Sequence, residues 1–313
     1  MKHYVLLILA FFTAISFTAT HAIKTVIPMA GLGTRLLPLT KSYSKGMIAL
    51  IDKPALHHVI DEAHASNITD FCFIINPHEQ PILEHYLSEN AQLDAILNEK
   101  EKLHFIADLN NTIASSTFTY LTQHTPLGLG HAVLQAQPYV QNDNFFCVML
   151  PDNIIENDET ILAHLVTLAQ QYNASIICVE NINPADAHAY GVIQPKTFLT
   201  DNLIEIEAII EKPRFDQGIF TLAQVGRYVF SSDIFDALTV IKPGINGEIQ
   251  LTDAIAHMMA SGKRVLAYLL PGKRHDIGTI RGLLKTTVTL ALHNPLYKNM
   301  MIEIFNNEIN ICS

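Results

Sequence analysis

An apolar run, Thr25-Val-Ile-Pro-Met-Ala30, breaks at Gly31-Leu-Gly33 and is followed by Arg35, Lys41 and Lys45. No other stretch limits the possible folds so strongly. The run reads as a buried strand. The glycines mark backbone that takes positive φ or approaches something closely. The chain has a net charge of −10, yet no Asp or Glu precedes Asp52. A basic loop opened by glycines straight after a strand is what a polyphosphate requires, because backbone N–H groups reach its oxygens and cations neutralise its charge. A Gly-x-Gly pair alone serves equally as a tight turn. The dinucleotide fingerprint is excluded, since no Gly-x-x-Gly follows and Pro38 stands where the helix would run. A Walker loop is excluded by the lack of Gly-Lys-Ser/Thr.

The rest of the chain alternates strand and helix patterns. The sequence predicts a helix opening at Asp52-Lys-Pro54 and spanning 55–66, a strand over 68–75, a helix over 79–99 and a strand at 103–106. A further strand over 118–122 leads to a second glycine turn, Leu127-Gly-Leu-Gly130, which opens a helix to about Gln137. Phe145-Phe-Cys-Val-Met-Leu150 is an uninterrupted apolar run, as expected of a central strand covered on both faces. The second half predicts a helix over 158–172 and strands over 175–179, 203–211, 225–230 and 265–270. It also predicts helices after Ser231-Ser-Asp233 and over 253–262, a loop at His275-Asp-Ile-Gly278 and a helical end. This rhythm predicts an α/β fold with a doubly wound, mostly parallel, Rossmann-like sheet and flanking helices.

Strand ends locate the candidate chemistry. Asp152 follows the central strand, where open α/β sheets bind ligands and where a metal–phosphate ligand belongs. It also suits a turn or helix cap. Glu211-Lys212 places a carboxylate beside a cation at another strand end, either as a solvated ion pair or as an acceptor for sugar hydroxyls next to a phosphate-binding ammonium.

Length and composition bound the class. At 313 residues, with 16% charged and 49% apolar residues, the chain is globular and long enough for a full core. The acidic balance and the lack of a basic stripe argue against nucleic acid. Cys72, Cys147 and Cys178 lie in apolar runs and read as buried thiols, with Cys312 near the end. The 15 histidines have no metal-ligand spacing. Residues 1–22 have no charged residue after Lys2 and an apolar core over 4–17. They read as a signal peptide, a membrane anchor or an N-terminal extension. We expect a domain over 23–290 and a helical tail over 291–313.

The full spacing Gly31-x-Gly33-Thr34-Arg35-x-x-Pro38-x-Thr40-Lys41-x-x-x-Lys45 resembles the signature of the sugar-1-phosphate nucleotidyltransferases. Ala30 before the first glycine is similar to the bacterial UTP–glucose-1-phosphate uridylyltransferases. Further landmarks come in that family's order: Asp-Lys-Pro at 52–54, Gly-Leu-Gly-His-Ala-Val at 128–133, Leu-Pro-Asp at 150–152 and Tyr-Gly-Val at 190–192. Glu-Lys-Pro at 211–213, Val-Gly-Arg-Tyr-Val at 225–229, Glu-Ile-Gln-Leu-Thr-Asp-Ala-Ile at 248–255 and His-Asp-x-Gly at 275–278 complete them.

The resemblance implies Mg²⁺-dependent transfer of UMP from UTP to glucose 1-phosphate, giving UDP-glucose, a polysaccharide precursor, and pyrophosphate. It implies that Ala30, Gly31 and Gln123 contact the uracil, that Gly128 closes the base pocket, and that Gly33 and Thr34 belong to the substrate loop. Arg35 and Lys45 would hold the triphosphate, Gly191 and Glu211 the glucose, and Lys212 its phosphate. Asp152 would bind Mg²⁺, with Asp253 resembling a second metal ligand. The expected partners are UTP and glucose 1-phosphate, with homo-oligomerisation open. The chemistry implies a cytoplasmic location, while residues 1–22 leave export or tethering open and are the expected source of any membrane contact.

Three departures surround the site. The family's Pro-Lys-Glu-Met run is Ser44-Lys45-Gly46-Met47 here, its lysine before Gly-Leu-Gly is Leu127, and its Asp before Glu-Ile-Gln is Gly247. Losing prolines and gaining Gly46 predicts a looser loop. A non-catalytic sugar-nucleotide-binding relative, or the same reaction with another sugar or base, is therefore the alternative.

Overall fold

A computed structural model describes residues 23–157, 160–214 and 218–312. The expectation for residues 1–22 lies outside them. Strand β1 (Lys24–Pro28) is an interior strand, third from one edge of the main sheet. The basic loop follows as three short 3-10 turns, then β2 (Ala49–Leu50) and β3 (Lys53–Pro54) form a small ribbon. Pro54 sits at the N-cap of α1 (Ala55–Ala65), where a residue without an N–H loses nothing. Strand β4 (Asp70–Ile75) leads to α2 (Gln80–Tyr86) and α3 (Ala91–Glu99). The single helix expected over 79–99 is thus two, and the second is capped by the Asn90 side chain, which accepts from Leu93 N–H at 3.0 Å.

The strand expected at 103–106 is instead a 3-10 turn running into α4 (Ala107–Ser115). Phe105 is 73% exposed, so this apolar run has no sheet to join. Next come β5 (Thr117–Thr122), α5 (Leu129–Gln135), α6 (Gln137–Val140), β6 (Phe145–Met149) and β7 (Asn153–Glu156). Helix α7 (Ile161–Tyr172) follows, and then β8 (Ser175–Asn181), β9 (Gly191–Phe198), β10 (Leu203–Glu211) and β11 (Leu222–Ser231). Ser232 occupies the N-cap position of α8 (Asp233–Val240) without a side-chain capping bond. The chain closes with α9 (Leu251–Ala260), β12 (Val265–Leu269), β13 (Lys273–Asp276), α10 (Ile280–His293) and α11 (Lys298–Cys312). Helix α10 runs through the boundary expected at 290/291. Among the described residues, no helix is long and apolar enough to cross a membrane.

The main sheet has nine strands in the order β5-β4-β1-β6-β11-β8-β12-β10-β9. The mostly parallel expectation holds only for its first half. Strands β5, β4, β1 and β6 are parallel, but β11 runs antiparallel to both β6 and β8, and β10 is antiparallel to β9 and β12. A parallel return needs a crossover of a dozen or so residues. Between β9 and β10 the chain has only a tight turn, with Leu199 N–H bonded to Leu203 C=O at 2.7 Å. The sheet is therefore mixed.

Both faces are covered. Alternate residues of β1, Ile27 and Val26, enter opposite apolar clusters. One cluster takes Leu56, Val59, Ile60 and Ala63 of α1 with Leu162 and Leu165 of α7. The other takes Ala132 and Val133 of α5 with Ile234 of α8 and Ile255 of α9. This is why the central strands read as continuous apolar runs. Cys72, Cys147 and Cys178 are buried free thiols in those strands.

Candidate active site

The chain leaves the sheet at the end of β1, where Met29 and Ala30 N–H both reach Ile74 C=O at 2.7 and 2.9 Å. Gly33 takes φ +60°, and a Cβ there would fall 2.8 Å from Thr40 Cγ2. Thr40 Oγ1 donates to Gly33 C=O at 2.8 Å, which folds the loop back on itself. Leu36 is buried and anchors it, so Thr34 and Arg35 stay exposed on its outer side. Gly31 has open space where a Cβ would be.

Lys45 then meets the end of the central strand. Its Nζ lies 2.6 Å from Asp152 Oδ2. Asp152 is 6% exposed. Burial alone would raise its carboxyl, but Lys45, Arg35 and an Asn153 hydrogen bond hold it below the usual carboxylate range. The looser loop expected from Gly46 is not found. Gly46 is buried, and a Cβ would meet Met29 Cε at 2.8 Å and Pro151 Cβ at 3.4 Å. The missing side chain makes room for the Met29 thioether, so close packing replaces the order that proline supplies elsewhere.

Two lobes open from this ion pair. The first, about 370 Å³, is lined by Ala30, Gly31, Gly33, Gln123, Gly128 and Glu248, among others. Gln123 is buried at 3% exposure, and its Nε2 donates to Gly128 C=O at 3.2 Å and faces His131 Nδ1 at 2.7 Å. A carbonyl only accepts, so the amide orientation is fixed and the Gln123 oxygen is the atom left to face a ligand. Burial lowers the His131 pKa, which suits a neutral ring accepting at Nδ1. Gly128 has φ +105°, and a Cβ would collide with Glu248 Cβ and Ile249 C=O, both at 2.8 Å.

The second lobe, about 530 Å³, shares Thr34, Arg35, Lys45 and Asp152 with the first and adds Gly191, Glu211 and Lys212. Strand pairing puts Gly191 directly opposite Glu211. Glu211 Oε2 accepts from Thr252 Oγ1 at 2.6 Å, and Oε1 lies 3.2 Å from Lys212 Nζ. A Cβ on Gly191 would fall within 3.0 Å of Gln224 Nε2, Thr252 Oγ1 and Glu211 Oε2, so this floor requires glycine.

Sequence reasoning missed Asp276. The predicted loop at 275–278 is in part β13, which pairs with β7 so that Asp276 lies opposite Asn153. Ile277 N–H bonds to Asp152 C=O at 2.9 Å. A Cβ on Gly278 would sit 2.8 Å from Arg35 Nη2, 2.9 Å from Asp276 Oδ1 and 3.4 Å from Asp152 Oδ2. One cation and two carboxylates thus surround that glycine. The His-Asp-x-Gly landmark was the available signal, but only the strand register reveals which carboxylate it faces.

Asp253 is not brought into this group. It lies on α9 with its carboxylate against Gly244, outside the lining of both lobes. Burial first, then the Glu211 charge, raises its pKa. Among the described residues no three His, Cys, Asp or Glu side chains cluster tightly enough to hold a metal by themselves. Asp152 and Asp276 instead offer hard carboxylate oxygens on either side of Gly278, which lines the first lobe. That suits Mg²⁺, which takes one or two carboxylates together with substrate phosphates.

Comparison with known proteins shows what the chain as a whole resembles. The nucleotidyl transferase family profile matches residues 24–292. UTP–glucose-1-phosphate uridylyltransferase 1 of Staphylococcus saprophyticus is 35% identical over 284 residues, covering 91% of this chain and 98% of that protein. The Staphylococcus epidermidis enzyme is 35% identical over 272 residues, covering 87% and 93%. Among solved structures, a UDP-glucose pyrophosphorylase complexed with UDP-glucose superposes with TM-score 0.79 at 30% identity, covering 88% of this chain and 100% of that one. A UTP-bound UGPase from Acinetobacter baumannii gives TM-score 0.81 at 31% identity, covering 91% and 99%.

Proposed function

The chain belongs to the nucleotidyl transferase family, and on that premise we propose that it transfers UMP from UTP to glucose 1-phosphate, forming UDP-glucose and releasing pyrophosphate. The observation that carries this reading is the meeting of two lobes at one ion pair, Lys45 and Asp152, at the end of the central strand. A reaction joining two phosphorylated substrates needs such a meeting point.

In this reading the first lobe takes the nucleoside. The Gln123 amide oxygen accepts the uracil N3–H, Ala30 and Gly31 give backbone contact, and Gly128 leaves room for the ring. Gly33, Thr34 and Arg35 wrap the triphosphate with Lys45. In the second lobe Glu211 accepts sugar hydroxyls over the open floor at Gly191, and Lys212 binds the sugar phosphate. A phosphate oxygen of glucose 1-phosphate then attacks the α-phosphorus of UTP in line, and pyrophosphate leaves. No covalent nucleophile on the protein is required. Positioning and charge neutralisation provide the acceleration. Asp152 and Asp276 would hold Mg²⁺, which when bound supplies positive charge to the phosphate oxygens. Asp253 has no role in this reading. The need for UTP assigns the work to the cytoplasm.

The test is pyrophosphate release by the protein. We expect release that requires UTP, glucose 1-phosphate and Mg²⁺ together. A folded protein that binds UDP-glucose yet releases no pyrophosphate would refute turnover and favour a binding role. Faster release with dTTP or galactose 1-phosphate would reassign the substrates.

A further inference from the structure

Asp152 is held at both oxygens, and only one of its holders belongs to the reading above. Lys45 takes Oδ2, while Asn153 Nδ2 donates to Oδ1 at 2.9 Å. An asparagine amide can turn over, so something must decide which end faces Asp152. Arg274 decides it. Its Nη1 donates to Asn153 Oδ1 at 3.0 Å, and guanidinium groups have no acceptor. The oxygen of Asn153 must therefore face Arg274, and its N–H₂ must face Asp152.

Arg274 is itself fixed. Its side chain is 6% exposed, its Nε and Nη2 meet Glu180 Oε1 at 2.6 and 2.5 Å, and it lies 4.7 Å over the Tyr190 ring. The same Nη1 reaches Asp276 Oδ2 at 3.3 Å, and the hydroxyl of Tyr190 approaches that oxygen at 3.5 Å. One guanidinium thus orients both acids that face Gly278, one directly and one through a neutral amide.

The intermediary matters chemically. A direct Arg–Asp152 pair would be bidentate and would consume both carboxylate oxygens. Through Asn153, Oδ1 of Asp152 receives one neutral N–H, which leaves Oδ2 to a cation, the Lys45 ammonium in this structure. The geometry points to Asn153 and Arg274 as positioning residues that set Asp152 and Asp276 for a divalent cation. This inference rests on the Mg²⁺ part of the proposed function. Asn153 also follows Asp152 directly in sequence, which makes it the shortest available link between the strand end and the β7–β13 ribbon.

The experiment compares the full chain with its Asn153→Leu and Arg274→Lys variants. Each is saturated with UDP-glucose, and Mn²⁺ binding is read from loss of the free-ion paramagnetic resonance signal. We expect Asn153→Leu to weaken Mn²⁺ binding by roughly tenfold or more, the usual consequence of removing an outer partner of a metal ligand. Arg274→Lys keeps the charge but loses the planar fork, and is expected to weaken binding by a smaller factor. For both variants the metal-free affinity for UDP-glucose stays within about twofold of the parent, which separates loss of the cation site from loss of substrate binding. A merely structural Asn153 would lower the melting temperature and leave Mn²⁺ affinity alone. Mn²⁺ affinity of Asn153→Leu within twofold of the parent overturns the inference. Should that variant fail to fold, Arg274→Lys decides on the same criterion. A parent that takes up no Mn²⁺ overturns both the inference and the Mg²⁺ assignment. A parent that binds Mn²⁺ but makes no UDP-glucose overturns the proposed function, and the variants still decide the inference.

Discussion

Lys45 and Asp152 are separated by 107 positions in the chain and by 2.6 Å in space. Under the proposed mechanism Lys45 neutralises charge that grows as pyrophosphate leaves, so Lys45→Ala is expected to lower kcat by about 10²–10³, the range for loss of one preorganised donor. Steady-state kinetics with an intact melting curve checks this. Gly191→Ala would push a methyl group into the floor shared by Gln224, Thr252 and Glu211. It should raise KM for glucose 1-phosphate while leaving KM for UTP unchanged.

A second residue makes a pH prediction. Burial pushes the Glu79 carboxyl up from 4.5 to about 7, and its Oε2 has no partner. The folded state therefore keeps a proton that the unfolded chain releases near 4.5, so stability falls as pH rises through that window. Glu79→Gln removes the effect. Urea titrations should find the variant more stable than the parent by about 1–3 kcal/mol at pH 8, with the difference gone below pH 4.

At the scale of elements, Arg227 ties three of them together. It is fully buried in β11, forms a bidentate pair with Glu62 of α1 at 2.9 and 2.7 Å, and donates to the carbonyls of Leu150, Gly226 and Asn153. Two of those carbonyls, of Leu150 and Asn153, flank Asp152 in the chain. Glu62→Leu leaves the guanidinium charged and unpaired, and is expected to cost about 3–5 kcal/mol in urea unfolding.

How much of this was legible in the sequence varies by element. The runs at 25–30 and 145–150 announced buried strands because both of their faces are covered. The ends of those two strands pointed to Lys45 and Asp152, and the end of Leu203–Glu211 to Glu211 and Lys212, and all four line one cleft. Strand direction was not legible beyond Val179. Nothing in Gly191–Phe198 and Leu203–Glu211 states that a tight turn, not a helix, joins them in space. Asp276 was hidden for the same reason, since its partner is set by register across 120 residues of chain and not by local pattern. Asp253, which the resemblance made a second metal ligand, stands on α9 with its carboxylate against Gly244, a placement set by tertiary packing and not by the local motif. Gly46 was read as loose because its neighbour Met29 lies 17 residues earlier in the chain.

At the scale of the whole molecule, the sheet joins a parallel half to a largely antiparallel half at the β6–β11 seam. The cleft lies against that seam, with the first lobe built mainly from residues before 153 and the second mainly from residues after 188. Ligands that bridge the two should tie them together. UDP-glucose, which spans both lobes in the proposed function, is expected at a hundred times its Kd to add about 2.7 kcal/mol of stability, read as a rise in melting temperature.

The break in strand direction also divides choice from choice. Under the proposed function, one stretch of the chain inspects the base and another the sugar, with the phosphates held between them. Substitutions that relax the preference for uracil should therefore cluster around Gln123 and Gly128, and those that admit a different sugar around Gly191 and Glu211. Each set is expected to leave the other preference untouched. Such a molecule changes its donor or its acceptor by editing a single region, with the machinery that joins them left in place.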